Sequence, residues 1–234
     1  MSRKLLIFGN GLGMALDANH YSLTNALNTV WADNNLWSDI IQRDLIQNCI
    51  PNNKCPDSEE DLDKLHLVST SCDYLDSFPT TSCGKHWLSD YGQDFTNATQ
   101  EYIHTVASLL FNTPNTLPKA FENALINFIQ QTKSHVATLN YDKLLYEAFI
   151  NADICSGYSG QLVDGFTSTG FDSSNLVRLY RRSFGYYMHL HGSPLFKDIG
   201  NTTYKLSTSQ ISTNNTFPSK HIVLTHIPHK PSVI

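Results

Sequence analysis

Three short stretches hold the residue types in this chain best suited to chemistry. They are Phe8-Gly9-Asn10-Gly11-Leu12-Gly13, Thr138-Leu139-Asn140-Tyr141-Asp142 and His189-Leu190-His191-Gly192-Ser193-Pro194. Each closes or follows an apolar run of strand length, so each falls where a buried strand gives way to a turn. In open α/β sheets, ligands bind beyond the carboxyl ends of the strands. Glycines between a strand and a helix let backbone N–H groups approach an anion such as a phosphate. Asn140 and Asp142 are two residues apart and point to one side of an extended chain. An amide beside a carboxylate can hold a hydroxyl, a water and a carboxamide without a metal. A histidine with an ordinary pKa near ~6.5 serves as a general base at neutral pH. His191, beside Gly192, has access to a cleft. His189 lies deeper in the strand and reads as core.

Each motif also has a plainer reading. The glycine loop carries Met14 where a G-x-G-x-x-G fingerprint needs glycine, and it lacks the Lys and Ser/Thr of a P-loop. By itself it is equally a tight turn without a ligand. Asp142 suits the cap of a following helix, and a lone strand-end histidine is commonly structural.

The elements that must position these motifs follow from apolar patterning. Residues 4–8, 135–139, 186–191 and 221–225 are continuous apolar runs, which suit a parallel sheet covered on both faces. Ser22 caps a helix with Leu23, Ala26, Leu27, Val30 and Trp31 at helical spacing. Ser58-Glu59-Glu60-Asp61 has the form of a capping box and opens a second helix. Further helices are expected over 93–110, after Pro118 as first helical residue, and over 141–149. Roughly 120 residues of mostly helical pattern separate the first two strands, far more than a simple crossover needs. Residues 36–117 are therefore expected to form a helical lobe inserted into a domain made of 1–35 and 118–234. Turn-rich loops are expected over 78–85 and 156–174.

Composition narrows the function classes. A net charge of -5, with no Lys/Arg run, argues against a nucleic-acid-binding surface. The four-residue apolar run after Arg3 and Lys4 is too short for a signal peptide, and no stretch approaches the ~18 apolar residues of a membrane helix. A cytoplasmic location is expected. Five cysteines without a C-x-x-C pair suit a reducing compartment, with Cys49 and Cys55 as the one alternative metal pair and no metal expected. Only 16% of residues are charged, against the usual quarter or so. Part of the surface is therefore expected to lie under another subunit, in a homo-oligomer or with a regulatory partner.

The three motifs, in this order, resemble the sirtuin family, whose Gly-Ala-Gly loop, Thr-Gln-Asn-x-Asp turn and His-Gly turn surround NAD. The matching residues are Gly9-Asn10-Gly11, Thr138-Leu139-Asn140-Tyr141-Asp142 and His191-Gly192. The Thr-x-Asn-Tyr-Asp form and the helix-rich lobe are most similar to bacterial sirtuin-like proteins that hydrolyse NAD, many acting in phage defence. The resemblance implies a Rossmann-like, mostly parallel sheet and NAD as substrate, cleaved to nicotinamide and ADP-ribose. It implies Gly9, Asn10, Gly11 and Gly13 at the pyrophosphate, and Asn140 positioning water and a ribose hydroxyl. His191 is implied as general base. Asp142 orients the carboxamide or braces the glycine loop. Thr138, Gly192 and Ser193 line the site. The zinc-ribbon cysteines and the Pro-Asp-Phe-Arg segment of deacylating sirtuins are missing, which weakens the alternative of NAD-dependent protein deacylation. The family's later strands have no counterpart before Ile234, which leaves a non-catalytic NAD or ADP-ribose-binding module, or a scaffold, as further alternatives.

Overall fold

A computed structural model describes residues 3–33, 37, 40–155, 160–177, 184–200 and 202–207. The strand expected over 221–225 lies outside the described residues. In chain order the elements begin with β1 (Leu5–Phe8), α1 (Gly11–Leu16), α2 (Leu23–Trp31), α3 (Ile40–Asn48) and α4 (Glu59–Asp76). Then come α5 (Asp90–Phe111), α6 (Lys119–Thr132), β2 (His135–Thr138), α7 (Leu144–Asn151) and β3 (Leu162–Val163). The series ends with β4 (Phe166–Thr167), β5 (Gly170–Phe171), β6 (Gly185–His189), β7 (Phe196–Ile199) and β8 (Thr202–Lys205). The result is a mixed α/β protein built on a four-stranded parallel sheet of order β1-β2-β6-β3. Two antiparallel pairs, β4-β5 and β7-β8, lie outside it.

The described residues fall into two compact units, one within Met1–Ser22 and Ala107–Ile222, the other within Leu23–Val106. The first holds the sheet. Its entry is set by Ser134, fully buried between α6 and β2, whose hydroxyl accepts the Lys4 N–H at 3.0 Å. The next rung follows when His135 N–H donates to the Lys4 carbonyl at 2.8 Å. Val136, Tyr187, Leu125, Ile129, Leu144 and Phe149 share one apolar cluster that joins α6 and α7 to β2 and β6. Burial of side chains this size is worth about 1.5–3 kcal/mol each.

Strand β1 departs from the expectation of burial on both faces. Leu5 and Ile7 remain 53% and 59% exposed while Leu6 and Phe8 between them are half-buried, so one face of this edge strand is left uncovered. Helix α7 also begins three residues later than expected. The Asp142 carboxylate accepts the Leu144 N–H at 3.0 Å, so 141–143 form a side-chain-closed turn ahead of the helix. Pro118 stands just before α6 as its cap residue rather than as its first residue.

The helical unit is held by its aromatic and polar contacts. Tyr102, fully buried, donates its hydroxyl to the Leu27 carbonyl at 3.2 Å and meets Trp31 edge-on. Ser58 caps α4 by accepting the Asp61 N–H at 3.3 Å. The return arm differs from a capping box, since Asp61 accepts the Asp57 N–H instead of that of Ser58. No helix among the described residues is long and apolar enough to cross a membrane.

Candidate active site

The parallel register aligns Phe8 with Thr138 and Thr138 with His189. The ladder runs one step further, with Leu139 N–H donating to the Phe8 carbonyl and Leu190 N–H to the Thr138 carbonyl, both at 2.9 Å. Asn10, Asn140 and His191 therefore each stand two residues beyond one aligned row, on three neighbouring strands. The sheet brings the three motifs together at its carboxyl edge.

On β1, the chain turns from Gly9 straight into α1, with Leu12 N–H on the Gly9 carbonyl at 3.2 Å and Met14 N–H on that of Asn10 at 3.0 Å. Asn10 occupies the cap position without a side-chain capping bond. A Cβ on Gly9 or Gly11 would meet nothing within 4 Å, so packing does not require either glycine. Gly13 differs. A Cβ there would fall 2.6 Å from Cγ of Tyr21, so this glycine is set by the close approach of an aromatic ring. Tyr21 is almost fully buried. Burial, then the charges of Asp142 and Asp17, push its phenol up to about 12. No spacing rule in the sequence singled out Tyr21; the only signal was a glycine too many for a simple turn.

On β2, Thr138 is buried and its hydroxyl accepts the Asn140 N–H at 3.0 Å, which fixes the turn. Asn140 is 6% exposed; its carboxamide oxygen has no hydrogen-bond partner, and its nitrogen is turned to the Asp142 carboxylate, whose charge it favours. Buried side-chain amides are rarely left so. Asp142 has a double character: it caps the turn into α7 and it titrates abnormally. Burial raises its carboxyl, opposed by the Leu144 N–H and the neighbouring Asn140 amide, and leaves it at about 6.

On β6, His191 faces the ring of Tyr141 at 6.2 Å between centroids. Gly192 sits at φ 76°, a conformation that favours glycine, and its N–H returns to the His189 carbonyl at 3.2 Å. Ser193 is buried and accepts the Leu195 N–H at 3.3 Å, so it shapes its own turn. His189 takes the buried position expected of it. Its ring nitrogens are enclosed, and burial first, then Lys205, lower its pKa to about 4.

The strand tips thus present an amide with an unmet acceptor, a carboxyl whose pKa is raised to about 6, an imidazole, and glycines with open backbone. Such a set can orient a water, hold hydroxyls and move one proton. Among the described residues, no three His, Cys, Asp or Glu side chains are grouped to hold a metal. Neither a family model nor a curated protein matches the chain.

Proposed function

We propose that the chain is a sirtuin-like hydrolase that cleaves NAD to nicotinamide and ADP-ribose on a Rossmann-like sheet bearing an inserted helical lobe. The observation that carries this reading is Asn140, a buried amide whose oxygen has no partner, beside Asp142 at the tip of a central strand and in register with the glycine loop and His191.

The chemistry suits these groups. The bond between the ribose anomeric carbon and the pyridinium nitrogen breaks with oxocarbenium character, as in glycoside cleavage. Its electron pair leaves with neutral nicotinamide. A water held by Asn140 adds to the anomeric carbon, and its proton passes to His191. Asn10 and the open backbone of Gly9 and Gly11 approach the pyrophosphate. Asp142, with a carboxyl that is partly protonated near pH 6, faces the carboxamide as either donor or acceptor. Thr138, Gly192 and Ser193 hold the turns that carry Asn140 and His191. In the cell we place the protein in the cytoplasm, as a regulated NAD-depleting effector of antiviral defence. Restraint there comes from self-association or from a partner protein, since unrestrained NAD loss is toxic.

Incubation of purified protein with NAD, followed by chromatography of the products, tests the reading. Equal amounts of nicotinamide and ADP-ribose are expected. Saturable NAD binding without nicotinamide release would instead mark a sensor, and nicotinamide release only with an acylated peptide would mark a deacylase.

A further inference from the structure

A concave site lies within the unit that holds the sheet, and no glycine-loop residue lines it. It is a pocket of about 470 Å³ alongside β6, walled by β3, by the β4-β5 and β7-β8 pairs, and by the turn that carries Leu176. Its volume is in the range that holds small organic ligands. Aromatic rings make up much of the wall. Phe166 stacks on Phe196 at 4.8 Å and meets Phe171 edge-on at 5.3 Å, and Phe171 is 44% exposed.

Apart from His189, the polar side chains on this wall that carry charge or donate from a hydroxyl at its rim are internally paired. Asp164 is paired with Lys205 and accepts the Phe166 N–H at 3.1 Å. The Thr203 hydroxyl donates to Asp198 at 2.7 Å, and the Tyr186 hydroxyl donates to the Leu176 carbonyl at 3.4 Å. His189 lines the pocket as well; its two buried ring nitrogens have no hydrogen-bond partner, and its imidazole stays neutral there, a polar group but not a charge. Among the described lining residues none offers an unpaired cation, so a phosphate would meet no counter-charge from them. A carboxylate would fare no better.

We propose that this pocket binds an uncharged, largely apolar ring compound, at a site distinct from the strand-tip crevice. The apolar ring walls supply the contact energy, and the internally paired polar groups exclude charged molecules. Because β6 runs from this pocket to the turn that bears His191, the ligand would sit directly behind one wall of the crevice.

The neutral dye N-phenyl-1-naphthylamine, which brightens in apolar surroundings, tests this on the full chain. Wild type is expected to bind it saturably at one equivalent. Leu176→Trp, which fills the pocket, should weaken binding at least tenfold. Phe171→Ala, which removes a ring at the mouth, should weaken it several-fold. His191→Ala should bind the dye as wild type does whatever its effect on NAD, so this site stands or falls apart from the hydrolase reading. Circular dichroism checks the fold, and if Leu176→Trp fails to fold, Phe171→Ala decides because its ring is exposed. A wild-type chain without saturable uptake overturns the proposal, whether a second copy covers the pocket or nothing fits it. Equal affinity in wild type and folded variants overturns it too.

Discussion

Asn140 and Asp142 sit two residues apart and illustrate two ways in which a side chain is held ready for a ligand. The Asn140 amide is buried with its oxygen unpartnered and its nitrogen turned only to the raised carboxyl of Asp142, so it adds little to the folded state. Asn140→Ala is therefore expected to change unfolding free energy by less than about 1 kcal/mol, while NAD turnover falls on the order of 100-fold. Urea denaturation beside a nicotinamide assay checks both halves. A large loss of stability would show that Asn140 is structural.

Asp142 makes a pH prediction. Its carboxyl stands at about 6 in the folded chain, against an ordinary value of 3.8. A raised carboxyl favours the protonated folded state, so its contribution is full below about pH 4 and is lost as pH rises through 6. Asp142→Asn keeps an acceptor for the Leu144 N–H but cannot ionise. It should match wild type near pH 4 and exceed it at pH 8 by on the order of 2 kcal/mol. Denaturation at the two pH values measures the difference, and equal stability at pH 8 would refute the assignment of an abnormal carboxyl.

Among the elements, the glycine loop separates residues needed for folding from those left open to a ligand. Gly13→Ala drives a Cβ into the Tyr21 ring and should cost about 1–3 kcal/mol. Gly11→Ala meets nothing and should leave the melting temperature unchanged or slightly higher, since alanine favours helix. If the loop backbone approaches the pyrophosphate, the same substitution should weaken NAD binding at least tenfold. Calorimetric titration on the two variants tests this, and unchanged affinity in Gly11→Ala would remove the loop from the binding site.

The same elements show what was legible in the sequence. Strands β1, β2 and β6 were readable because each is a continuous apolar run ending in a polar or glycine turn, but their order in the sheet was not, since such runs do not say which strands pair. The late start of α7 was not, because a single Asp142–Leu144 bond sets it and helical periodicity continues through it. Strands β3, β4 and β5 are two-residue pairings, too short to show a period. The role of Tyr21 depends on a contact across a turn, which spacing does not encode. Of the candidate site, the positions of Asn140 and His191 could be read directly. That Gly192 and Ser193 serve their own turn required coordinates.

For the whole molecule, binding at the strand tips must stabilise the unit that carries them. A ligand at 100 times its dissociation constant adds about 2.7 kcal/mol to the folded state. His191→Ala, expected to retain NAD without consuming it, should therefore melt several degrees higher in saturating NAD than without it. Differential scanning fluorimetry shows the shift, and none at millimolar NAD would argue that the crevice does not take the dinucleotide. Free nicotinamide alone should give a smaller shift, because the glycine loop then goes unused.

The most direct test of the central claim is the rate of nicotinamide release from NAD by wild type and His191→Ala, both shown to be folded by circular dichroism. The strand-tip site predicts measurable release by wild type and a loss on the order of 100-fold or more in the variant. Release that survives His191→Ala unchanged, or a folded wild type that binds NAD and releases nothing, would contradict it.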